Sequence, residues 1–390
     1  MKARISLLRV FLTIAVLLTF IPEALPVEKP QGREAAAKKK EVAESERAKA
    51  DWETVLKKAR QEGSVAVFGG TTVGALKASV KIFKEKFGID LLITTGRGSS
   101  IIPKFLQERR NGLYLQDVMI SGQTTLIDPL KKQGVFDPLE PVLVLPEVLD
   151  RKLWYDGTFD WADREQRYIF NFALYPTHNV VVNTDLVKPE EIQSYYDLLN
   201  PKWKDKIVIN DPTTDGMGNS GFTAMLYNKM VDVDFFRKLA AQKNVMTRDQ
   251  DLQATWVAKG KYPITLWPSL GAVARFIDAG APVRPIVNVK EGTHAGSTGS
   301  ALGLFNKAPH PNAAKVFINW FLSREGQDIN EKHVRKQTRR IDVPPEGLKD
   351  FEIRIAGVKY FPKVDEKEEF ILTEAKNYDK LAEQIFASLR

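Results

Sequence analysis

The most constraining stretch runs from Tyr168 to Pro212 and reads YIFNFALYPTHNVVVNTDLVKPEEIQSYYDLLNPKWKDKIVINDP. From Ile169 to Thr184 it is almost free of charge and rich in Phe, Tyr and Val, the pattern of strand buried on both faces, with Pro176 interrupting the run. Such an interrupted, extended passage is what a chain needs to leave one sheet and enter another. The second half starts a new unit, in which Tyr196, Leu198, Leu199 and Trp203 pack around a short helix and turn before strand resumes at Lys206 to Asn210. The stretch therefore predicts a first passage between two lobes.

On either side the chain alternates strand and helix. Val65 to Phe68, Ile89 to Thr94 and Asp117 to Ile120 read as strands. Leu76, Val80, Phe83 and Phe87 line one face of a helix ended by Gly88, and Ile101, Ile102, Phe105 and Leu106 line another. A third helix is expected from Thr124 to Gln133, and Phe136 to Arg167, rich in proline and aromatics, as a wrap over this lobe. Beyond the passage, helices at Gly221 to Met230, Asp234 to Gln242 and Ala272 to Ala279 separate strands at Asn244 to Thr247, Tyr262 to Leu266 and Val283 to Val289. The glycine-rich Thr293 to Phe305 reads as the return passage. Alternation of this kind predicts α/β architecture with mainly parallel sheets covered by helices.

The N-terminus has another character. Lys2, Arg4 and Arg9 precede a twelve-residue apolar run from Val10 to Ile21, the layout of a secretory signal peptide over residues 1–24. That run is short of the about 20 residues a membrane-spanning helix needs. Pro22-Glu23-Ala24 imitates a cleavage site only loosely, which leaves an uncleaved interfacial anchor as the alternative. Both readings take the chain out of the cytoplasm. Residues 25–50, dominated by Lys, Glu, Ala and Gln, read as a solvated linker. The absence of cysteine excludes disulfides, thiolate metal sites, cysteine nucleophiles and a lipoprotein anchor. The net charge of +8 shows no concentrated face beyond Arg335, Lys336, Arg339 and Arg340, so no nucleic-acid partner is expected.

VVNTDLV followed by YYDLLNPKWKDKIVINDP, and APHPNAAKVFINWFLSREGQ at Ala308 to Gln327, resemble the extracellular solute-binding proteins of ABC importers. The ferric-iron-binding branch carries a run similar to Asp197-Leu198-Leu199, Pro201-Lys202-Trp203-Lys204 and Lys206-Ile207. The resemblance implies a two-lobed type II periplasmic-binding-protein fold, with lobe 1 from residues 51–172 plus 297–390, lobe 2 from 177–292, and two crossing segments. It also implies a small-molecule solute, permease subunits as partners, and a periplasmic or extracytoplasmic location; a monomer is expected, with no cofactor. In the ferric branch two adjacent tyrosines follow a Val-Ala-x-Gly-x-Tyr-like helix end. Here Val257-Ala258-Lys259-Gly260-Lys261-Tyr262 leads to Leu266-Trp267-Pro268-Ser269-Leu270 without a pair, so tyrosine-held iron does not carry over. Tyr195-Tyr196 belongs to the packing motif.

Ligands of open α/β sheets bind beyond the carboxyl ends of strands, where helix N-termini offer free N–H groups. The small polar loops there supply Thr71, Thr72, Arg97, Ser99, Ser100 and Ser121 from one lobe. Thr213, Asn219, Ser220, Trp267 and Ser269 come from the other, and Thr298 from the return passage. Each also has an ordinary role in turns and caps. Arg97 is the sharpest, because a guanidinium grips carboxylate or phosphate through two bonds, and Trp267 is a candidate for stacking. No Gly-x-Ser-x-Gly, phosphate loop or His-Glu-x-x-His occurs, and the Gly96-x-Gly98 pair has Ile101 where a dinucleotide fingerprint needs glycine. The expected function is capture of an anionic or oxygen-rich solute by closure of the lobes, without catalysis. Two alternatives remain: ferric iron held through an exogenous anion, and an exported hydrolase or transferase using Ser220 or Ser269 with His294.

Overall fold

A computed structural model describes residues 50–96 and 98–389. The expected signal peptide and most of the linker lie outside them, and none of the described helices is long and apolar enough to cross a membrane. Helix α1 (residues 50–62) buries Leu56 and Ala59. It leads into β1 (Ser64–Gly69), α2 (Val73–Phe87), β2 (Asp90–Thr95), α3 (Gly98–Arg110) and β3 (Val118–Ser121). Strand β1 can be apolar on both faces because it lies between β2 and β3, parallel to both, with Val65, Val67 and Phe68 all buried. Helix α2 turns Leu76, Phe83 and Phe87 inward and stops where Gly88, at φ 75°, donates its N–H to the Lys84 carbonyl.

The helix expected over Thr124 to Gln133 is broken into α4 (Gln123–Thr125), a π-turn over Leu126–Leu130 and a 3-10 turn over Lys131–Gln133. Pro129 has no N–H to continue an α-helical ladder, which accounts for the break. The wrap then lays down β4 (Phe136–Asp137), α5 (Pro146–Leu149), β5 (Asp160–Trp161) and β6 (Phe170–Asn171).

The chain crosses as β7 (Tyr175–Thr177) and enters the second lobe at β8 (Val180–Asn183). Next come β9 (Ile207–Asn210), α6 (Met217–Tyr227), α7 (Val233–Ala241), β10 (Val245–Thr247), α8 (Gln250–Ala258), β11 (Ile264–Leu266), α9 (Leu270–Asp278) and β12 (Val283–Pro285). It returns as β13 (Thr293–Gly296) and β14 (Ala301–Phe305), then forms α10 (Pro311–Leu322) and α11 (Arg324–Val334). The start of α10 is pinned by buried Asp117, whose carboxylate accepts from the amides of Ala66 and His310 at 2.7 Å each and sits 2.9 Å from His310 Nδ1. His310 is thus a structural partner at a helix start, not a ligand.

The sheets are mixed, which corrects the expectation of mainly parallel ones. In the order β2-β1-β3-β14-β6-β5 only the first three strands are parallel, because β14 arrives from the other lobe and runs against β3 and β6. The second sheet, β10-β9-β11-β8-β12, places the incoming β8 antiparallel to β11 and β12 for the same reason. The two crossings pair with each other, β7 antiparallel to β13.

A third strand completes the hinge. β15 (Tyr360–Pro362) lies parallel to β13, and beyond it come α12 (Glu368–Thr373) and α13 (Ala375–Phe386). Residues 297–390 do not all stay with the first lobe, as the sequence suggested. Ala382 and Phe386 of α13 are buried in the same apolar cluster as Phe222, Phe236 and Trp267 of the second. Helix α13 repeats apolar side chains on one face, and Leu381 and Ile385 pack on the same second-lobe cluster.

Two histidines are buried at this hinge. His178 follows β7, with Nε2 2.9 Å from the Phe351 carbonyl, and His294 lies in β13 beside Thr177 with neither ring nitrogen partnered among the described residues. Burial lowers His178 to about 4; burial, helped by nearby Lys363, lowers His294 to about 3. The unfolded chain takes up protons on these rings below about 6.5 whereas the folded chain does not, so stability falls as pH drops from about 6.5 toward the folded values. Each ring contributes a slope approaching about 1.4 kcal/mol per pH unit in that window. His294→Gln is expected to gain on the parent as pH is lowered from 7 to 4.5 in denaturation measurements; a constant difference across that range would contradict the buried neutral ring.

Candidate functional site

Three turns of the first lobe meet at the carboxyl ends of β1 and β3 and at the return crossing. Thr71 Oγ1 donates to the Gly299 carbonyl at 2.7 Å, and Gly122 lies against Gly299. A Cβ on Gly70 would come within 2.9 Å of Ser121 Oγ, so glycine is what lets these turns close up. Thr72 is fully buried at the start of α2, and its hydroxyl has no partner among the described residues. Thr298 stands in the left-handed region at φ 49°, and its hydroxyl is also buried and unpartnered. Lys336, from the turn after α11, donates to the Thr298 carbonyl at 2.5 Å. Its stem is partly exposed, but its ammonium is surrounded by protein, and desolvation lowers its pKa to about 8.

The other face of this turn is occupied by the chain itself. The Glu366 carboxylate accepts from the amides of Ser297 at 2.6 Å and Thr298 at 2.5 Å, and Lys363 lies 3.4 Å from it. Lys336 therefore lines the interlobe cavity, while Glu366 and Lys363 hold the turn from its other side. Sequence reading missed them because lysine and glutamate in RKQTRR and KVDEKEE look like solvated surface charge.

Opposite stand the loops of the second lobe. Buried Asp211 accepts from Thr213 Oγ1 at 2.6 Å and from Arg248 Nε at 2.9 Å; burial alone would raise its pKa, but these bonds hold it below the ordinary value. Asn219 donates to the Pro212 carbonyl and to Asp379, and Ser220 donates to Asp365 at 2.7 Å. Both side chains line a recess in which the C-terminal segment has engaged them. Ser269 caps α9, its hydroxyl accepting from the Ala272 amide at 3.4 Å. A cavity of about 340 Å³ lies between Ser269, Leu270 and Gly271 of this lobe and Thr298 and Lys336 of the other. A second recess of about 660 Å³ runs from Thr124 and Thr125 to Asn219 and Ser220. The structure thus brings Thr298 and Ser269 to one cavity and Asn219 and Ser220 to the second recess, while Thr71, Thr72 and Ser121 belong to the neighbouring turns and line neither.

Trp267 is not a stacking platform, contrary to the sequence-based expectation. It is 1% exposed, packs against Phe236 and Phe386, and directs Nε1 to Met225 Sδ. Its backbone, at φ 53°, turns the ring into the core, where Gly221 leaves room for it: a Cβ there would lie 2.0 Å from the indole. Arg97 lies outside the described residues; Ser99 and Ser100 stand in the first turn of α3, with side chains outside the description. Tyr195 is buried, bonded to Asn179 and to the Gly292 carbonyl, while its neighbour Tyr196 packs on Phe235 at the surface. That pair is therefore structural. Neither His294 nitrogen meets a hydroxyl, and Ser220 is held by Asp365, so no serine–histidine pair forms among the described residues.

The chain belongs to the bacterial extracellular solute-binding protein family, matched over residues 69–328. Iron uptake protein A1 of Synechocystis is 21% identical over 263 residues, 63% of this chain and 67% of that protein. Among solved structures, the Trichodesmium protein IdiA (FutA), in complex with iron and citrate, superposes with a TM-score of 0.64 at 20% identity. It covers 83% of this chain and 99% of its own. The periplasmic binding protein AfuA of Actinobacillus pleuropneumoniae, bound to fructose-6-phosphate, gives 0.60 at 19% identity over the same shares. At these identities the likeness establishes the two-lobed type II periplasmic binding fold. The family is one of transport binding proteins rather than enzymes.

Proposed function

We propose that this chain is the capture subunit of an ABC importer, exported to the periplasm or its equivalent, which closes its lobes on a small anionic or oxygen-rich solute and presents it to membrane permease subunits. The observation that carries this is the Thr298 hydroxyl, buried and unpartnered among the described residues, beside the Lys336 ammonium in a cavity that Ser269 of the other lobe also lines. Buried hydroxyls without partners are costly, and an oxygen-bearing ligand satisfies them. The N-termini of α2 and α9 add partial positive charge to the two walls. Arg97, which precedes α3 in the sequence, is proposed as a further clamp on the ligand's anionic group. Ligand touching both walls at once favours the closed arrangement.

A thermal-shift screen over organic acids, phosphorylated sugars, phosphonates and ferric complexes tests this. A ligand at 100 times its dissociation constant adds about 2.7 kcal/mol. Lys336→Met is expected to weaken an anionic ligand at least about tenfold, and affinity is expected to decline as pH rises through 8, where the Lys336 ammonium loses its charge. A screen without any response, or a ligand indifferent to both changes, would remove this reading.

The neighbour holding iron with citrate supports a second reading, in which ferric iron enters with an exogenous anion supplying the donors. Among the described residues no cluster of three His, Asp or Glu side chains is placed to hold a metal. Ferric citrate should then produce a visible charge-transfer band on mixing; colourless protein would count against it.

A further inference from the structure

A recess of about 340 Å³ opens beside the hinge sheet and shares no lining residue with the interlobe cavity. Its walls include Ala295 and Gly296 of β13, the strand β15, and Arg354 from the segment that leads to β15. The Arg354 guanidinium is held between two tyrosine rings, 4.1 Å from the Tyr155 centroid and 4.9 Å from that of Tyr360. The Tyr360 hydroxyl accepts from the Ile355 amide at 3.0 Å, and the Tyr155 amide donates to the Arg339 carbonyl at 2.8 Å, so both rings are fixed. Both rings are within cation–π range of Arg354, and its N–H groups remain its hydrogen-bonding points. It makes no ion pair with the described residues, and its Nε is buried without a partner.

Three more cations line the same recess, of which Lys363 is paired with Asp365 and Glu366. Arg339 is 7% exposed; one Nη donates to Asp160 at 3.2 Å and Nε has no partner. Lys367 bonds Asp160 and the Trp161 carbonyl. Two of the three lining carboxylates are already engaged. Asp160 accepts from Arg339, Lys367 and Asn171; Glu366 accepts from the Ser297 and Thr298 amides and faces Lys363; Asp156 is exposed. What is left over is a rigid guanidinium fork without a counter-ion, next to a second buried guanidinium.

We propose that this recess is a second ligand site, separate from the interlobe cleft, and that it takes a compact multivalent oxyanion bearing phosphate or carboxylate oxygens. A planar fork pairs with such groups through two parallel bonds, and stacking between aromatic rings removes the entropy cost of ordering it. An anion there joins Arg354 and β15 to Arg339 and Lys367, so its occupancy steadies the hinge independently of solute in the cleft.

The test is calorimetric titration of the full chain at low ionic strength with two probes, pyrophosphate and citrate, on the parent, Arg354→Gln and Lys336→Met. The expected result is binding of at least one probe by the parent, weakened about tenfold or more in Arg354→Gln and unchanged in Lys336→Met. No heat from either probe up to about 10 mM, or equal binding by Arg354→Gln, overturns the proposal. Loss in Lys336→Met with retention in Arg354→Gln also overturns it, by placing the anion in the cleft and leaving the cleft reading intact. A measurement on the unaltered chain covers failure of the variant to fold. Phenylglyoxal labelling of Arg354, read by peptide mass spectrometry, should be suppressed by the bound probe, and undiminished labelling counts as refutation.

Discussion

Glu366→Ala is expected to destabilise the folded chain by about 3–5 kcal/mol, the usual cost of removing one member of a buried, hydrogen-bonded charge cluster. The alanine leaves the Ser297 and Thr298 amides without acceptors and Lys363, 8% exposed, with Asp365 alone, 3.4 Å away. The damage falls on the return crossing, so the left-handed turn at Thr298 and Gly299 loses its only carboxylate anchor among the described residues. Glu366→Gln should cost less, since one amide oxygen still accepts while the NH₂ faces the other N–H. Denaturant titration measures both, and limited proteolysis should show earlier cutting after Val334. An alanine variant within about 1 kcal/mol of the parent would mean that the carboxylate only fills space.

Trp267→Ala should cost a comparable amount, about 3–5 kcal/mol, through lost burial and the cavity left behind. The cavity cannot collapse easily. Phe236 and Phe386 hold the ring on two sides and Met225 receives its N–H, while Gly221 has no side chain with which to fill the gap. Because Phe386 belongs to α13, the same substitution should loosen the C-terminal helix, visible as faster amide exchange over residues 375–386. A loss below about 1 kcal/mol, or exchange changes confined to residues near 267, would contradict a core role.

Legibility in the sequence followed how local each signal was. The interrupted run through Pro176 marked the first crossing because Ile169 to Val182 had to be apolar on both faces wherever it lay, and β7 and β8 occupy that stretch. Gly88 ended α2 where the helical stripe stopped. Trp267 was misjudged because a tryptophan after a strand looks the same whether its ring turns to solvent or to core. Its φ of 53° and the glycine at 221, forty-six positions earlier, decided which. The parallel sheets were misjudged for a related reason, since strand direction depends on which lobe the chain comes from and not on the residues in the strand.

The sequence alone determined that two α/β units exist, where the chain first passes between them, and that small polar turns stand at strand ends, because periodicity, turn chemistry and unbroken apolar runs act over a few residues. Only the tertiary structure decided that β15 forms a third hinge strand and α13 covers the second lobe, and that Glu366 and Lys363 are buried and the Lys336 ammonium is enclosed. Charged side chains carry no local mark of burial: their place is set by partners far along the chain, in this case the amides of Ser297 and Thr298 and the carbonyl of Thr298.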